Sequence, residues 1–480
     1  MNAMTAFWLN THRQMIFCFV TAFFLILFTA WFGILTRPLA HSAFFWPANA
    51  VLLGLIIKSQ LHRRPATLFG AAIGFIVADL STGNYFLLSC ALTLANFISV
   101  YVSFFCFQWL RQKHQHDSFY MRSTYPYFMA TLIGSGFCAV FAVMVLPYIP
   151  HTFLNNRQHF IDFIGWWSGE MFNYVIVLPL ILTAPTWQFL RTKYWRQKQK
   201  LKIYQLKDLA PFLAVLISCV ITHYFFAPGA MLYPLAMMMW AATVYSLFRT
   251  ALISALVCLT LFHSLTYIYF QSAQHDILYP MISIRIGLSI LAITTLFIGI
   301  MSLNRRKIFE EMAYLADHDS LTETLNRRSF MRLAEHVTQQ HEHYPIAILM
   351  LDLDHFKKIN DQYGHHAGDL ALKHFSKLVR QNLRESDAFC RMGGEEFVIL
   401  LKNTDMQIVE TIAERIRLEL AQSEIHLDDD QILKMTVSIG VYYQQQHQRA
   451  AVDLLIKKAD EALYIAKHAG RNQIQLDIAN

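Results

Sequence analysis

A chain of 480 residues with 55% hydrophobic and only 15% charged residues, and a mean hydropathy of +0.33, is too apolar to be soluble throughout. The formal net charge of +7 comes from lysines and arginines gathered in breaks between apolar runs, a distribution that reports membrane orientation and argues against nucleic-acid binding. The seven cysteines include no Cys-x-x-Cys pair and no histidine at metal spacing, so they read as small packing residues.

From Gln14 to Leu303, long apolar runs alternate with short polar breaks. They predict about ten membrane-crossing helices, over 14–36, 43–57, 66–80, 85–110, 125–149, 160–184, 209–227, 230–248, 251–270 and 282–303, in a lipid bilayer whose hydrocarbon core is roughly 30 Å thick. Alternate breaks carry the positive charge. One set holds Arg13, then Lys58, Arg63 and Arg64, then Arg111, Lys113 and Arg122, then Arg191, Lys193, Arg196, Lys198, Lys200, Lys202 and Lys207, then Arg249, and finally Arg305, Arg306 and Lys307. The opposite set holds little beyond Arg37, Arg157 and Arg285. Positive loops face the cytoplasm, so both termini are expected there, in a bacterial cytoplasmic (inner) membrane. The first span lacks a small-residue cleavage site after it and reads as retained.

Ionisable groups inside hydrocarbon are costly, which singles out Glu170 within Gly165-Trp166-Trp167-Ser168-Gly169-Glu170-Met171-Phe172-Asn173-Tyr174, together with Trp46 and Asn49 in Phe45-Trp46-Pro47-Ala48-Asn49, and Asp79. Interhelical hydrogen bonding and a sensory role are both open for each. This half resembles the first of the membrane-associated sensor families that bacteria place before signalling output domains, which implies an integral membrane sensor domain over 1–303. Residues 304–317 follow as a helical linker. Ile308, Met312 and Leu315 at helical spacing, flanked by Lys307, Glu310 and Glu311, predict a short amphipathic helix able to pair with a second copy.

Beyond the linker the pattern changes to strand and helix periods. A strand over 346–352 is followed by helices near 356–362 and 367–383, a hairpin over 388–402, a helix over 406–423, a strand over 435–442 and a helix over 452–468. This order predicts an α/β (α+β) domain with a partly antiparallel sheet covered by helices. The apolar run Ile346 to Leu351 ends in Asp352-Leu353-Asp354, and strand alternation puts Asp352 and Asp354 on one face. The hairpin tip reads Gly393-Gly394-Glu395-Glu396-Phe397: two glycines free to take positive φ and leave room for a phosphate, beside two acids able to hold a divalent cation. Oxygen ligands converging from two strand ends suit metal-dependent phosphoryl transfer.

Residues from about Asp317 to Asn472 resemble the GGDEF family of diguanylate cyclases in a Gly-Gly-Glu-Glu-Phe form. The likeness includes Asp319, Leu321, Thr322, Asn326, Arg327 and Arg328 at the start and Ala459 to Asn472 at the end. Where the family usually has Gly-Leu, this chain has Glu323-Thr324. The resemblance implies a GGDEF domain over 318–480, similar to the palm of nucleotidyl cyclases and polymerases. It implies condensation of two GTP into cyclic di-GMP by a homodimer of half-sites. By resemblance Asp352, Glu395 and the carbonyl of Leu353 bind Mg²⁺, with Mn²⁺ as an alternative and Glu396 as a candidate for a second ion. Lys357, Lys467 and Arg471 neutralise the triphosphate, with Gly393 and Gly394 beside it, while Asn360 and Asp369 read guanine. Glu395, Glu396 and Lys357 are the expected catalytic residues. Arg384, Asp387 and Arg415 match the family's site for inhibitory product. A GTP-binding relay without turnover and a transporter with a regulatory tail are the competing classes, and the intact acids and lysines favour the enzyme.

The charge pattern predicts that a periplasm-active reporter fused after Tyr279 is active and that one fused after Lys200 is silent. The reverse result would invert the orientation.

Overall fold

A computed structural model of the full chain describes residues 3–36, 44–113, 125–150, 152, 154, 159–185, 206–225, 229–272, 278–339, 345–427, 431–445 and 451–479. By its contacts the chain divides into two compact units, Met1–Lys307 and Ile308–Asn480.

The first unit is helical. Its described α-helices are α1 (Ala3–Leu35), α2 (Ala48–Lys58), α3 (Arg64–Ser81), α4 (Phe86–Lys113), α5 (Tyr125–Val145), α6 (His159–Thr183), α7 (Leu206–Tyr224), α8 (Tyr233–Val244), α9 (Leu247–Ser272) and α10 (Leu278–Asp317). Each coincides with one of the apolar runs, but among the described residues only six are long and apolar enough to cross a membrane: α1, α3, α4, α5, α9 and α10. The expectation of about ten spans needs correcting for two helices above all. With 11 residues in α2 and 12 in α8, each rises less than about 20 Å, against a hydrocarbon core of roughly 30 Å. The α2 run is shortened at its start, since residues 44–47 are not helical and Pro47 stands immediately before the helix. Arg37, Arg122, Arg157 and the basic stretch from Arg191 to Lys202 lie outside the described residues. Helix α10 runs for 40 residues through the segment expected to be a linker, and Ile308, Met312 and Leu315 are exposed on it.

The second unit is built on a mixed six-stranded sheet in the order β1-β3-β4-β2-β7-β8, from β1 (Leu325–Asn326), β2 (Ile346–Leu353), β3 (Ala388–Gly393), β4 (Glu396–Lys402), β7 (Val437–Gln444) and β8 (Ile474–Ala479). A separate two-stranded ribbon pairs β5 (Ile425–His426) with β6 (Ile432–Leu433). Strand β2 is central and antiparallel to both β4 and β7, and all eight of its residues are buried. A strand covered on both faces needs apolar side chains at every position, which is why Ile346 to Leu351 reads as an unbroken run. Ala347, Leu349, Leu351 and Leu353 pack into one core with Phe375 of α12 (Phe356–Asn382) and Val409 and Ile416 of α13 (Met406–Gln422). Ile346, Ile348 and Met350 face the other core, with Phe330 and Ala334 of α11 (Arg327–Gln339) and Leu455 and Leu463 of α14 (Val452–His468). Burying a large aliphatic side chain contributes about 1.5–3 kcal/mol, so this two-sided burial anchors the end of β2 where Asp352 stands. The sheet and its helices follow the expected order, with β1, α11, the ribbon and β8 added.

Glu323 occupies a left-handed conformation with φ of 56°, in a turn where its backbone N–H donates to the Asp319 carbonyl at 2.9 Å. A side chain in this region costs about 1–2 kcal/mol relative to the right-handed region, a cost glycine avoids. This gives the usual family glycine at the position a steric reason. Glu323→Gly is therefore expected to raise unfolding stability by on the order of 1 kcal/mol, read as a higher denaturant midpoint for the second unit; an unchanged or lower midpoint would show that the turn is relaxed with Glu.

Candidate functional site

The β2–β4 register sets Asp352 opposite Glu396, and the Leu353 N–H approaches the Glu395 carbonyl at 3.4 Å. The hairpin between β3 and β4 turns at Gly394, whose φ of 56° suits a residue without Cβ, and a Cβ added there would meet nothing within 4 Å. Open space therefore adjoins the acids. Asp352 is buried, and its Oδ2 lies 2.8 Å from Nζ of Lys467, which reaches it from α14. Burial raises the Asp352 carboxyl above its usual value; Lys467 opposes this, and the nearby charges of Glu395 and Glu396 reinforce it. Three acids that repel one another, with an ammonium drawn in to balance them, are oxygen donors suited to a hard divalent cation. Among the described residues no three His, Cys, Asp or Glu side chains form a preassembled cage. A site of two side chains and one carbonyl is compatible with that.

Asn360 and Asp369 lie on either side of a kink in α12, where Gly364 takes φ of 81° and ψ of 163°. Asn360 Oδ1 sits where a Cβ on Gly368 would clash, so the second helical segment approaches Asn360 closely because Gly368 lacks one. The kink brings the two expected guanine-reading residues into one neighbourhood, with Asn360 half-buried and Asp369 exposed. Lys357 is exposed on the first turn of α12, directly after the end of β2. Arg471 lies in the turn after α14, where Gly470, Arg471 and Asn472 all have positive φ.

Two residues outside the expected set hold this geometry. Arg391, on β3, donates from Nη1 to Asp319 Oδ1 at 3.1 Å and from Nε to the Gly394 carbonyl at 2.9 Å. It ties the opening Asp-x-Leu-Thr turn to the tip of the hairpin. Burial alone would raise the Asp319 carboxyl, but hydrogen bonds from Thr322 and Arg391 hold it below its usual value. Asp354 is the second. Strand β2 ends before it, and its carboxylate accepts from Thr436 Oγ1 at 2.7 Å, Ser438 Oγ at 2.7 Å and the Asn472 backbone N–H at 3.0 Å. Ser438 stands opposite Asp352 in the β2–β7 register, so its bond to Asp354 keeps the two acids on one side of the sheet, as expected; Asp354, however, is committed to fastening the end of β2 to β7 and to the Arg471 turn. Arg391, two residues before the double glycine, was the available sequence signal for the first; nothing local distinguished Asp354 from a metal ligand.

Arg384 and Arg415 line one cavity of about 290 Å³ with Asn382 and Thr411. Asp387 does not join that lining. Its Oδ2 accepts from the Arg384 backbone N–H at 2.9 Å and closes the 384–387 turn.

In the membrane unit, Asn49 Nδ2 donates to Asn96 Oδ1 and to both Glu170 oxygens, each at 3.0 Å. The Trp46 N–H donates to Asn173 Oδ1 at 3.0 Å, and Arg285 Nη2 donates to the Phe44 carbonyl at 3.5 Å. Asn173 and Arg285 thus answer backbone groups of the non-helical stretch before α2. Asp79 stands elsewhere, accepting at 2.9 Å from Asn84 in the turn between α3 and α4.

The sequence profile of the family described as "Diguanylate cyclase, GGDEF domain" matches residues 316–473. The chain is 38% identical over 176 residues to the uncharacterized protein YhcK of Bacillus subtilis, covering 36% of this chain and 48% of that one. It is 37% identical over 174 residues to the diguanylate cyclase DgcM of Escherichia coli K12, covering 35% of this chain and 40% of that one. It thus spans about half the length, or less, of these curated relatives. The probable diguanylate cyclase DgcF of Escherichia coli O157:H7 is similar along nearly the whole chain, at 24% identity over 467 residues, with coverage of 95% and 93%.

If Arg391 works as a brace, Asp319→Asn and Arg391→Ala should be non-additive, with a coupling on the order of 1 kcal/mol in a double-mutant cycle of unfolding stability. Strict additivity would mean that the two side chains are merely adjacent.

Proposed function

Residues 316–473 being a GGDEF domain, we propose that the chain is a membrane-anchored diguanylate cyclase that condenses two GTP into cyclic di-GMP and two pyrophosphates. The observation that carries this reading is the convergence of Asp352, Glu395, Glu396 and Lys467 beside an open Gly-Gly turn. The whole-length likeness to the probable cyclase DgcF supports the pairing of a membrane unit with this output. We read the membrane unit as the input half, with the Asn49–Glu170–Asn96 group as its polar centre and both termini on the side where GTP is available.

In each of two equivalent steps, the 3′-hydroxyl oxygen of one GTP bonds to the α-phosphorus of the other, the bond to the β-phosphate breaks, and pyrophosphate leaves. Such a reaction asks the protein mainly for alignment and charge neutralisation. Asp352, Glu395 and the Leu353 carbonyl would hold Mg²⁺ or Mn²⁺, with Glu396 available to a second ion, and the bound metal would neutralise phosphate oxygens. Glu395 is assigned as the group that draws the proton from the attacking hydroxyl. Lys357, Lys467 and Arg471 offset the triphosphate charge, with Lys357 stabilising the transition state. The Asn360 amide donates to guanine O6, and the Asp369 carboxylate accepts from N1 and N2. One domain accommodates one GTP, so turnover needs two copies facing each other. The exposed Ile308, Met312 and Leu315 offer an apolar stripe through which two α10 helices can pair.

Glu395→Gln removes a charge at nearly constant volume and should lower cyclic di-GMP formation by at least on the order of 10²-fold with the fold intact. Near-normal synthesis by the purified variant, given GTP and Mg²⁺, would remove Glu395 from the mechanism. At the Arg384–Arg415 cavity, product binding would hold the domains apart from each other. Arg384→Ala is expected to keep the initial rate and weaken inhibition by added product. Progress curves with equal product sensitivity in variant and parent would reduce Arg384 to a solvated charge.

A further inference from the structure

At one end of the membrane unit, the C-terminal turns of α2 and α4 and the first residue of α3 enclose a cavity of about 340 Å³, lined by Arg64, Arg111, Gln108, Gln112, Phe104 and Phe107 among others. Among the described residues no carboxylate belongs to that lining. The Arg64 guanidinium lies over the Phe104 ring at 4.7 Å from its centroid, and its Nε is buried without a hydrogen-bond partner among the described residues. A buried guanidinium N–H lacking an acceptor is costly, and a phosphate oxygen is the acceptor that the planar fork of arginine fits best.

A second cavity, of about 240 Å³, shares the Phe107 wall. Phe128, Leu182, Leu296 and Ile300 line it, so that α5, α6 and α10 all contribute apolar surface. A free phosphate or a nucleotide would satisfy the arginines and have no use for this space. A chain of methylene groups would fill it.

We propose that the two cavities together form a site for one anionic glycerophospholipid, its phosphate between Arg64 and Arg111, its polar head against Gln108 and Gln112, and part of an acyl chain past Phe107 against α10. Anionic lipids collect at membrane surfaces where basic side chains cluster, and a pocket between helices converts that general attraction into a specific seat. The assignment does not depend on the cyclase reading.

The test is native mass spectrometry of the full-length protein in mild detergent, titrated with phosphatidylglycerol and with phosphatidylcholine of the same acyl chains. Phosphatidylglycerol should be retained about tenfold more tightly, because both lipids bring a phosphate to the arginines but only phosphatidylcholine brings a fixed cation beside them. Arg64→Gln with Arg111→Gln should reduce it to the phosphatidylcholine level, Arg64→Lys with Arg111→Lys should keep part of the preference, and Leu296→Trp, which fills the apolar cavity, should weaken retention. Excess inorganic phosphate should leave the lipid in place. Equal retention of the two lipids by the parent protein, or displacement of phosphatidylglycerol by inorganic phosphate, would overturn the proposal. Should the double glutamine variant fail to insert, the parent's lipid preference and the Leu296→Trp titration decide it.

Discussion

Burial of the Asp352 carboxylate is the constraint around which the candidate site is organised. Asp352, Glu395 and Glu396 are brought to the same end of two adjacent strands, with Asp352 buried. A carboxylate in a desolvated place is unfavourable without an opposing charge. Lys467 supplies one from α14, at 2.8 Å. The position of that lysine in turn depends on packing of α14 against the sheet through Leu455, Ala459 and Leu463. The apolar core and the charged site are thus parts of one arrangement, since the core fixes the helix that balances the acids.

The surrounding hydrogen bonds keep the strand ends from moving apart. Asp354 fastens the end of β2 to Thr436, Ser438 and the Asn472 N–H, and Arg391 fastens the hairpin tip to the Asp319 turn. Both are charge-assisted hydrogen bonds to groups that would otherwise be loosely held, and such bonds are stronger than neutral ones. A functional site displaced by an ångström loses much of its effect, so these supports matter as much to chemistry as the acids themselves. The membrane unit follows a similar rule with a different solvent. Asn173 and Arg285 bond backbone groups of the stretch before α2, where the helix starts late and leaves those groups without helical partners.

Much of this was legible in the sequence because it depends on local patterns. Unbroken apolar runs located each described α-helix of the first unit, since burial in lipid requires apolar side chains all round. The run Ile346 to Leu351 identified a strand covered on both faces, and the double glycine identified the hairpin turn beside two acids. What composition could not show was length. A proline and an interrupted backbone shorten α2, and a run that looks like a span by hydropathy becomes an 11-residue helix.

The assignment of neighbouring acids was decided by tertiary structure alone. In sequence, Asp352 and Asp354 are equivalent: two carboxylates at the end of one apolar strand, two residues apart. Only the partners delivered by β7 and the turn after α14 separate them, turning Asp354 into a structural acceptor while Asp352 faces Lys467, Glu395 and Glu396. For the same reason Arg384 and Arg415, far apart in the chain, share a cavity, while Asp387 closes the turn that carries Arg384. Residue types and spacing determine which chemistry a chain carries, because strands and helices impose fixed periods on side chains. Which copy of a repeated group performs it depends on non-local hydrogen bonds, and those exist only once the strands are paired.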